Sequence, residues 1–311
     1  MDTAFHALIG FALAGMSGHT PAITDPVFIA TILGAQAPDL DIITQLKGSM
    51  TYLKQHRAFS HSIPGIAAFS ALIATGMHFF CNQWSWYFLF GWSFIGGLSH
   101  ILCDYLNTHG AALLWPFRKE RLSCHLLNVF DPVLLLMFLL LDSDLMATSP
   151  MVWGIVILSS LYLMLRLFLK QKAYLQLKMF FMAHKIERIL IMPSLRKVHQ
   201  WDFVVQTPEY YIIGQIKSFF HSVQIITTLP NLDMSSRMVQ AEKTFLGQFF
   251  KTFSPFVYFE EQREENAIKI YDLRYSFNQQ FLHSATILFN QANLPATSYM
   301  HSYGRTIKVP C

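Results

Sequence analysis

The chain is predicted to be mainly α, with a polytopic helical membrane domain over residues 1–172 and a small α+β cytoplasmic domain over 173–311. Three observations predict this. Hydrophobic residues make up 53% of the 311 positions and charged residues 14%, where soluble domains carry about a quarter charged. Long apolar stretches fill the chain as far as Leu169 and then cease. Lys and Arg fall in alternate connections between those stretches. The composition excludes disorder, a coiled coil and a nucleic-acid-binding tail, so no nucleic-acid partner is expected. Cys81, Cys103, Cys124 and Cys311 form no CxxC pair, which argues against a disulfide scaffold and a thiolate zinc ribbon.

The apolar stretches cover residues 5–18, 27–37, 63–80, 86–106, 133–141 and 152–169. As a helix, 63–80 spans about 27 Å, close to a hydrocarbon core of about 30 Å. Residues 86–106 are long enough to cross with some tilt. The stretch at 133–141 reaches spanning length only by extending back through Asn128. The first two are short enough to form a shallow helical pair instead of full spans. Met1-Asp2-Thr3 offers no basic leader for a cleaved signal peptide. Lys47, Lys54 and Arg57 share one connection, and Arg118, Lys119 and Arg121 another; Arg166, Lys170, Lys172 and Lys178 mark the end of the last stretch. Connections 19–26, 81–85 and 142–151 contain no Lys or Arg. The positive-inside rule therefore predicts six segments with the basic loops and both termini in the cytoplasm.

Beyond Tyr174 the pattern changes. Residues 175–190, with Lys178, Lys185 and Arg188, are predicted to form an amphipathic helix on the anionic inner leaflet. Residues 203–205, 210–213, 223–226 and 268–275 have strand character. The last alternates, with Ile268 and Ile270 on one face and Tyr271, Leu273 and Tyr275 on the other. Pro193, Pro208, Pro230 and Pro255 punctuate these segments as turns.

Chemistry-bearing residues gather at the predicted cytoplasmic ends of the membrane helices. His6 lies one turn inside the first. Asp39 and Asp41 end the second, where Pro38 disfavours helical geometry at Ala37. His56, Arg57 and His61 precede the third, His100 and Asp104 are i,i+4 neighbours closing the fourth, and Asp131-Pro132 opens the fifth. Imidazole and carboxylate donors without thiolates suit zinc, manganese or iron at a hydrolytic site. His6, Asp39, Asp41, His56, His61, His100 and Asp104 are the expected ligands of a divalent ion, most simply zinc. Such an ion makes its bound water nucleophilic near neutral pH. His56 and His61, five residues apart, converge only if that segment bends. Asp41 is alternatively a residue that orients a ligating His.

Each locus also has a plainer explanation. Asp39 and Asp41 fit a solvated turn, Asp131 an N-cap, and His100–Asp104 a structural pair. His78, His184 and His221 read as interfacial residues. The opposite membrane side offers only His19, Asp25, Asp142 and Asp144. An ion or proton transporter would also place His and Asp in membrane helices, although such folds commonly show repeated halves. A non-catalytic scaffold that recruits partners through the C-terminal domain is a third reading. Oligomeric state is not legible.

Met1-Asp2-Thr3-Ala4-Phe5-His6, Pro38-Asp39-Leu40-Asp41, His56-Arg57-Ala58-Phe59-Ser60-His61-Ser62, Gly97-Leu98-Ser99-His100-Ile101-Leu102-Cys103-Asp104, Gly110-Ala111-Ala112-Leu113-Leu114-Trp115-Pro116-Phe117 and Asp131-Pro132 occur in that order. This pattern resembles the bacterial membrane-bound metal-dependent hydrolases, a family described as LexA-regulated inner-membrane hydrolases. The resemblance covers residues 1–132. Trp201, Tyr211 and Asp272-Leu273-Arg274-Tyr275 look similar to the C-terminal domain of its longer members. It implies a bacterial inner-membrane location and metal-dependent hydrolysis, and supplies no substrate. The residue reading adds a phosphoester of a lipid-like amphiphile as substrate, with a carboxylic ester or amide left open, and Asp39 or Asp41 as proton acceptor. It also adds Arg57, Arg118, Lys119 and Arg121 as phosphate anchors, although the positive-inside rule alone also explains these cations.

Overall fold

The computed structural model describes residues 3–47, 58–118, 120–139, 149–195, 197–218, 222–277, 280–302, 304–309 and 311. It divides into two compact units, Met1–Phe168 and Leu169–Cys311. The first is helical: α1 (Thr3–Ala14), α2 (Pro26–Gln36), α3 (Ile63–Phe80), α4 (Trp86–Leu106), α5 (Pro132–Leu139) and the start of α6 (Ser149–Phe180).

Local chemistry sets the helix starts. The Asp25 carboxylate accepts the Val27 N–H ahead of α2, and the Ser62 hydroxyl accepts the Gly65 N–H ahead of α3. Both helices carry proline in the first turn, where no intrahelical donor is lost. At Pro38 the α-ladder cannot continue, because proline has no N–H to donate. The chain tightens into a 3-10 run over Ala37–Lys47 instead of simply turning.

Among the described residues, four helices are long and apolar enough to cross a membrane: Pro26–Thr44, Ile63–Phe80, Trp86–Leu106 and Pro150–Phe180. The 3-10 extension lengthens the second apolar stretch to crossing length. Thr3–Ser17 is shorter than a span, and of the expected 133–141 segment α5 covers the described part, Pro132–Leu139; residues 140 and 141 lie outside the described residues. The thirty-two residues of α6 measure about 48 Å, well beyond the hydrocarbon thickness.

Glycines bring α1, α2 and α4 into backbone contact. A Cβ on Gly34 would land on the Ser93 carbonyl, and one on Gly96 on the Thr31 carbonyl. A Cβ on Gly10 would stand 2.9 Å from that of Ala35. Small residues drive close helix association where lipid removes the hydrophobic incentive. This closeness lets a side chain of α4 reach the main chain of α2.

The second unit is built mainly of sheet, so "mainly α" holds for the first unit alone. An antiparallel meander has the order β1 (Arg188–Pro193), β2 (Gln200–Gln206), β3 (Tyr210–Lys217), β4 (Val223–Pro230). A second sheet has the order β11 (Arg305–Val309), β10 (Pro295–Ser302), β9 (His283–Phe289), β6 (Ala267–Asp272), β5 (Val257–Gln262). Two short helices, α7 (Ser236–Lys243) and α8 (Phe245–Phe253), and a hairpin of β7 (Ser276–Phe277) and β8 (Gln280–Phe281) complete it. Met192, Val204 and Ile213 of the first sheet pack on Phe256, Tyr258 and Leu273.

The amphipathic helix expected over 175–190 is corrected: α6 ends at Phe180, and Arg188–Pro193 is a strand paired with Gln200–Gln206. Burial of Ile191 and Met192 in the sheet core outweighs the helical charge pattern. The strand expected over 268–275 stops at Asp272, and Leu273-Arg274 form a turn.

Asp202 on β2 is a polar intrusion in this sheet. Its Oδ1 lacks a hydrogen-bond partner among the described residues. Burial pushes its carboxyl up to about 6, against a smaller opposing pull from hydrogen bonds with Gln215 and Ser194. The folded chain therefore takes up this proton at higher pH than the unfolded chain, whose Asp titrates near 3.9. Stability falls as pH rises through that interval and stays at the lower level above it. Asp202→Asn is expected to stabilise the chain by about 1–3 kcal/mol near pH 8 and hardly at all near pH 4. Thermal melts of both proteins across this range check it; a gain independent of pH would contradict it.

Candidate metal centre

Five of the seven expected ligands converge: His6 from α1, Asp39 from the 3-10 run after α2, His61 from the 3-10 turn Phe59–His61, and His100 and Asp104 from α4. His61 Nε2 lies 3.2 Å from His100 Nε2 and 3.3 Å from Asp104 Oδ2. Asp39 Oδ1 stands 3.6 Å from His100 Nε2 and 3.7 Å from His61 Nε2. The i,i+4 pair brings His100 Nε2 and Asp104 Oδ2 to 3.9 Å, and His6 Nε2 is 3.9 Å from Asp104 Oδ1. The His6 ring stacks on that of His100 with centroids 3.6 Å apart.

Hydrogen bonds on the far side of the rings aim them. His100 Nδ1 is 2.7 Å from the Ala35 carbonyl, which assigns the proton to Nδ1 and leaves the Nε2 lone pair facing inward. His61 Nδ1 is 3.0 Å from Ser60 Oγ, whose hydroxyl donates to Asp41 Oδ2 at 2.8 Å. Asp41 stands on the Nδ1 side of His61, the position that the orienting role expected as its alternative requires. Two Nε2 lone pairs then face each other 3.2 Å apart beside two carboxylates. Donor atoms bound to one ion at about 2.0–2.2 Å stand about 3–4 Å from one another.

The residues fit such an ion on independent grounds. His6 is 1% exposed, and neither ring nitrogen has a hydrogen-bond partner among the described residues. Burying an imidazole in this way is costly unless something accepts its lone pair. His61, His100 and Asp104 are fully buried, whereas the Asp39 side chain is 22% exposed. Asp39 is thus the open wall of the cluster.

Residues 1–173 match the family model of the YdjM inner membrane protein. The chain belongs to that family. "Uncharacterized protein YfhP" of Bacillus subtilis (strain 168) is 31% identical over 294 residues, covering 88% of this chain and 87% of its own. No solved structure matches the chain. The YdjM match identifies an inner membrane protein and contains all five converging donors.

His56 and Arg57 lie outside the described residues, as do Lys119, Asp142, Asp144 and His221. Asp131 is drawn into structural work: it accepts the Val133 and Leu134 N–H groups and the Tyr162 hydroxyl. Arg118 is exposed and pairs with Glu120. His19 and Asp25, expected on the opposite side, pair with each other at 2.9 Å.

Sequence reasoning missed Ser60 and Asn107. Asn107 Nδ2 donates to Asp104 Oδ1 at 2.8 Å. Its Oδ1 accepts the His109 and Gly110 N–H groups, which settles the orientation of the amide. The available signal was an Asn three residues after Asp104, at the end of the same helix and before the Thr-His-Gly turn.

Proposed function

We propose that the chain is a membrane-bound metal-dependent hydrolase acting on a phosphoester of a lipid-like amphiphile. The observation that carries this reading is the pair of inward Nε2 atoms 3.2 Å apart, flanked by Asp39 and Asp104 and capped by the His6 imidazole, whose nitrogens have no hydrogen-bond partner among the described residues. Two buried or half-buried carboxylates beside three imidazole rings supply charge that a divalent cation would balance, and burial makes that compensation valuable. When bound there, a divalent ion would supply water activation near neutral pH and polarisation of a phosphoryl oxygen. His6, Asp39, His61, His100 and Asp104 would hold it, and zinc is the simplest match to the donors.

The chain's own groups then divide the remaining work. Asp39 has the accessible carboxylate and is assigned the proton acceptor. Asp41, reached through Ser60, steadies charge that develops on His61. Ser62 and Ser99 are not nucleophiles in this reading, since their hydroxyls donate to the Phe59 and Gly96 carbonyls. Arg57 and the basic loop at 118–121 are assigned to the substrate phosphate. The basic loops assign the cluster and both termini to the cytoplasmic face.

The test is turnover of a panel of phospholipids, lipid phosphates and phosphodiesters by purified chain, with and without added Zn²⁺ or Mn²⁺. Asp104→Asn keeps the shape and the bond from Asn107 and is expected to lower turnover about 100-fold or more. An active Asp104→Asn, or a panel with no turnover, would overturn the reading. Metal-driven flux in liposomes without turnover would favour transport.

A further inference from the structure

An apolar cleft of about 200 Å³ opens in the helical unit beside the donor cluster. Ile9 and Leu13 of α1, Leu102 and Leu106 of α4, and Ile155 and Leu163 of α6 form its walls. Ser99 and Cys103 also line it, and their chain neighbours His100 and Asp104 are cluster members. Cleft and cluster therefore occupy adjoining faces of α4. Along α1, Ile9 follows His6 by three residues, which places both on neighbouring parts of one face.

The polar groups of the cleft are already engaged. Ser99 Oγ donates to the Gly96 carbonyl at 2.7 Å and Ser160 Oγ to the Val156 carbonyl at 2.8 Å. Ser159 Oγ is directed at Met137 Sδ, 3.9 Å away. The three lining hydroxyl protons are directed at protein atoms and most of the other lining side chains are aliphatic or aromatic, so the walls suit a saturated or branched hydrocarbon. Leu102 is 52% exposed and Ser160 is exposed on α4 and α6, two helices long enough to cross the bilayer. The cleft therefore opens on the outer surface of these two helices.

We propose that this cleft seats one acyl chain of a bilayer phospholipid whose headgroup is presented to the His/Asp cluster; the inference rests on the hydrolase reading above. Lipid tails are as apolar as the cleft walls, so transfer from the bilayer yields little affinity. The gain is positional. A fitted chain restricts where the headgroup phosphorus lies, and orientation of this kind lowers reaction barriers.

The experiment uses the full chain in phosphatidylglycerol nanodiscs doped with phosphatidic acid that carries a diazirine on one acyl chain. Irradiation and peptide mapping are expected to concentrate cross-links on residues 9–13, 102–106 and 155–163. Ile155→Trp fills the cleft and is expected to lower labelling there about tenfold, as one methylene of misfit in an apolar pocket does. Labelling of the exposed Phe79 and Phe80 should stay constant. Leu163→Phe, nearer the rim, is the second variant, and unchanged metal content certifies that either variant is folded. Labelling spread evenly over lipid-facing helices, or left unchanged by both folded variants, overturns the proposal. If neither variant folds, the wild-type map alone decides. His61→Ala separates the two readings: loss of metal with retained cleft labelling supports the chain site independently, and cleft labelling in a chain that hydrolyses nothing sinks only the hydrolase.

Discussion

Replacing His61 or His100 by alanine is expected to abolish divalent-metal binding by the purified protein, with affinity falling by at least about 100-fold. Each substitution removes an Nε2 from the centre of the cluster, and the remaining donors cannot close around the ion without moving helices that meet backbone to backbone at Gly34 and Gly96. Residues that aim the ligands should matter less. Asp41→Asn weakens the relay through Ser60 to His61, and Asn107→Ala removes the donor on Asp104 Oδ1. Groups of that type typically change metal affinity about 10–100-fold. Elemental analysis gives the stoichiometry and competition with a chromophoric chelator gives the affinity. Unchanged stoichiometry in both alanine variants would end the metal assignment. Equal losses at Asp41 and His61 would mean that Asp41 is itself a ligand.

The membrane half was legible because its determinants are local. Apolar length gave Ile63–Phe80 and Trp86–Leu106 at their observed bounds, and i,i+4 spacing gave His100 with Asp104. What joins His6, Asp39 and His61 to that pair is not local. It depends on α2 lying close enough to α4 for His100 to reach Ala35, and the glycines permitting this are spread along separate helices. The 3-10 continuation after Pro38 was hidden for a related reason. The sequence announces that the α-helix must stop, without announcing what replaces it. In the C-terminal unit, Ile268 and Ile270 betrayed their strand by alternation. Arg188–Pro193 did not, since its basic residue and aliphatic run fit the end of an amphipathic helix equally well. Only pairing with a partner strand decides it. Asp41 shows the same limit at the level of one side chain: spacing brought it near the site, and a serine hydroxyl decided which nitrogen of His61 it serves.

Asp272→Ala is expected to destabilise the C-terminal unit by about 3–5 kcal/mol, the usual effect of breaking one side of a buried ion pair. Asp272 is fully buried and Arg274 is 4% exposed. The guanidinium donates from Nε to both carboxylate oxygens, at 3.0 and 3.1 Å, and from Nη2 to Oδ2 at 2.8 Å. The Ser254 hydroxyl and the Arg274 N–H add further bonds to Oδ1. A second Nη2 bond to the Phe253 carbonyl ties the end of α8 to the turn after β6. Removing the carboxylate leaves a cation enclosed by Phe253 and Tyr275, which lie 4.9 and 5.3 Å from it, without its counter-charge. The Asp-Leu-Arg-Tyr motif thus acts as a structural clamp in this unit. Replacing both partners together, as in Asp272→Leu with Arg274→Met, should cost much less than Asp272→Ala, because apolar pairs of similar volume often match buried ion pairs. Urea titration of the full chain followed by hydrogen exchange in β6 and α8 measures both effects. A double variant less stable than Asp272→Ala would refute this account of the motif. Metal content unchanged in every variant is required by it, since all five converging donors belong to the helical unit.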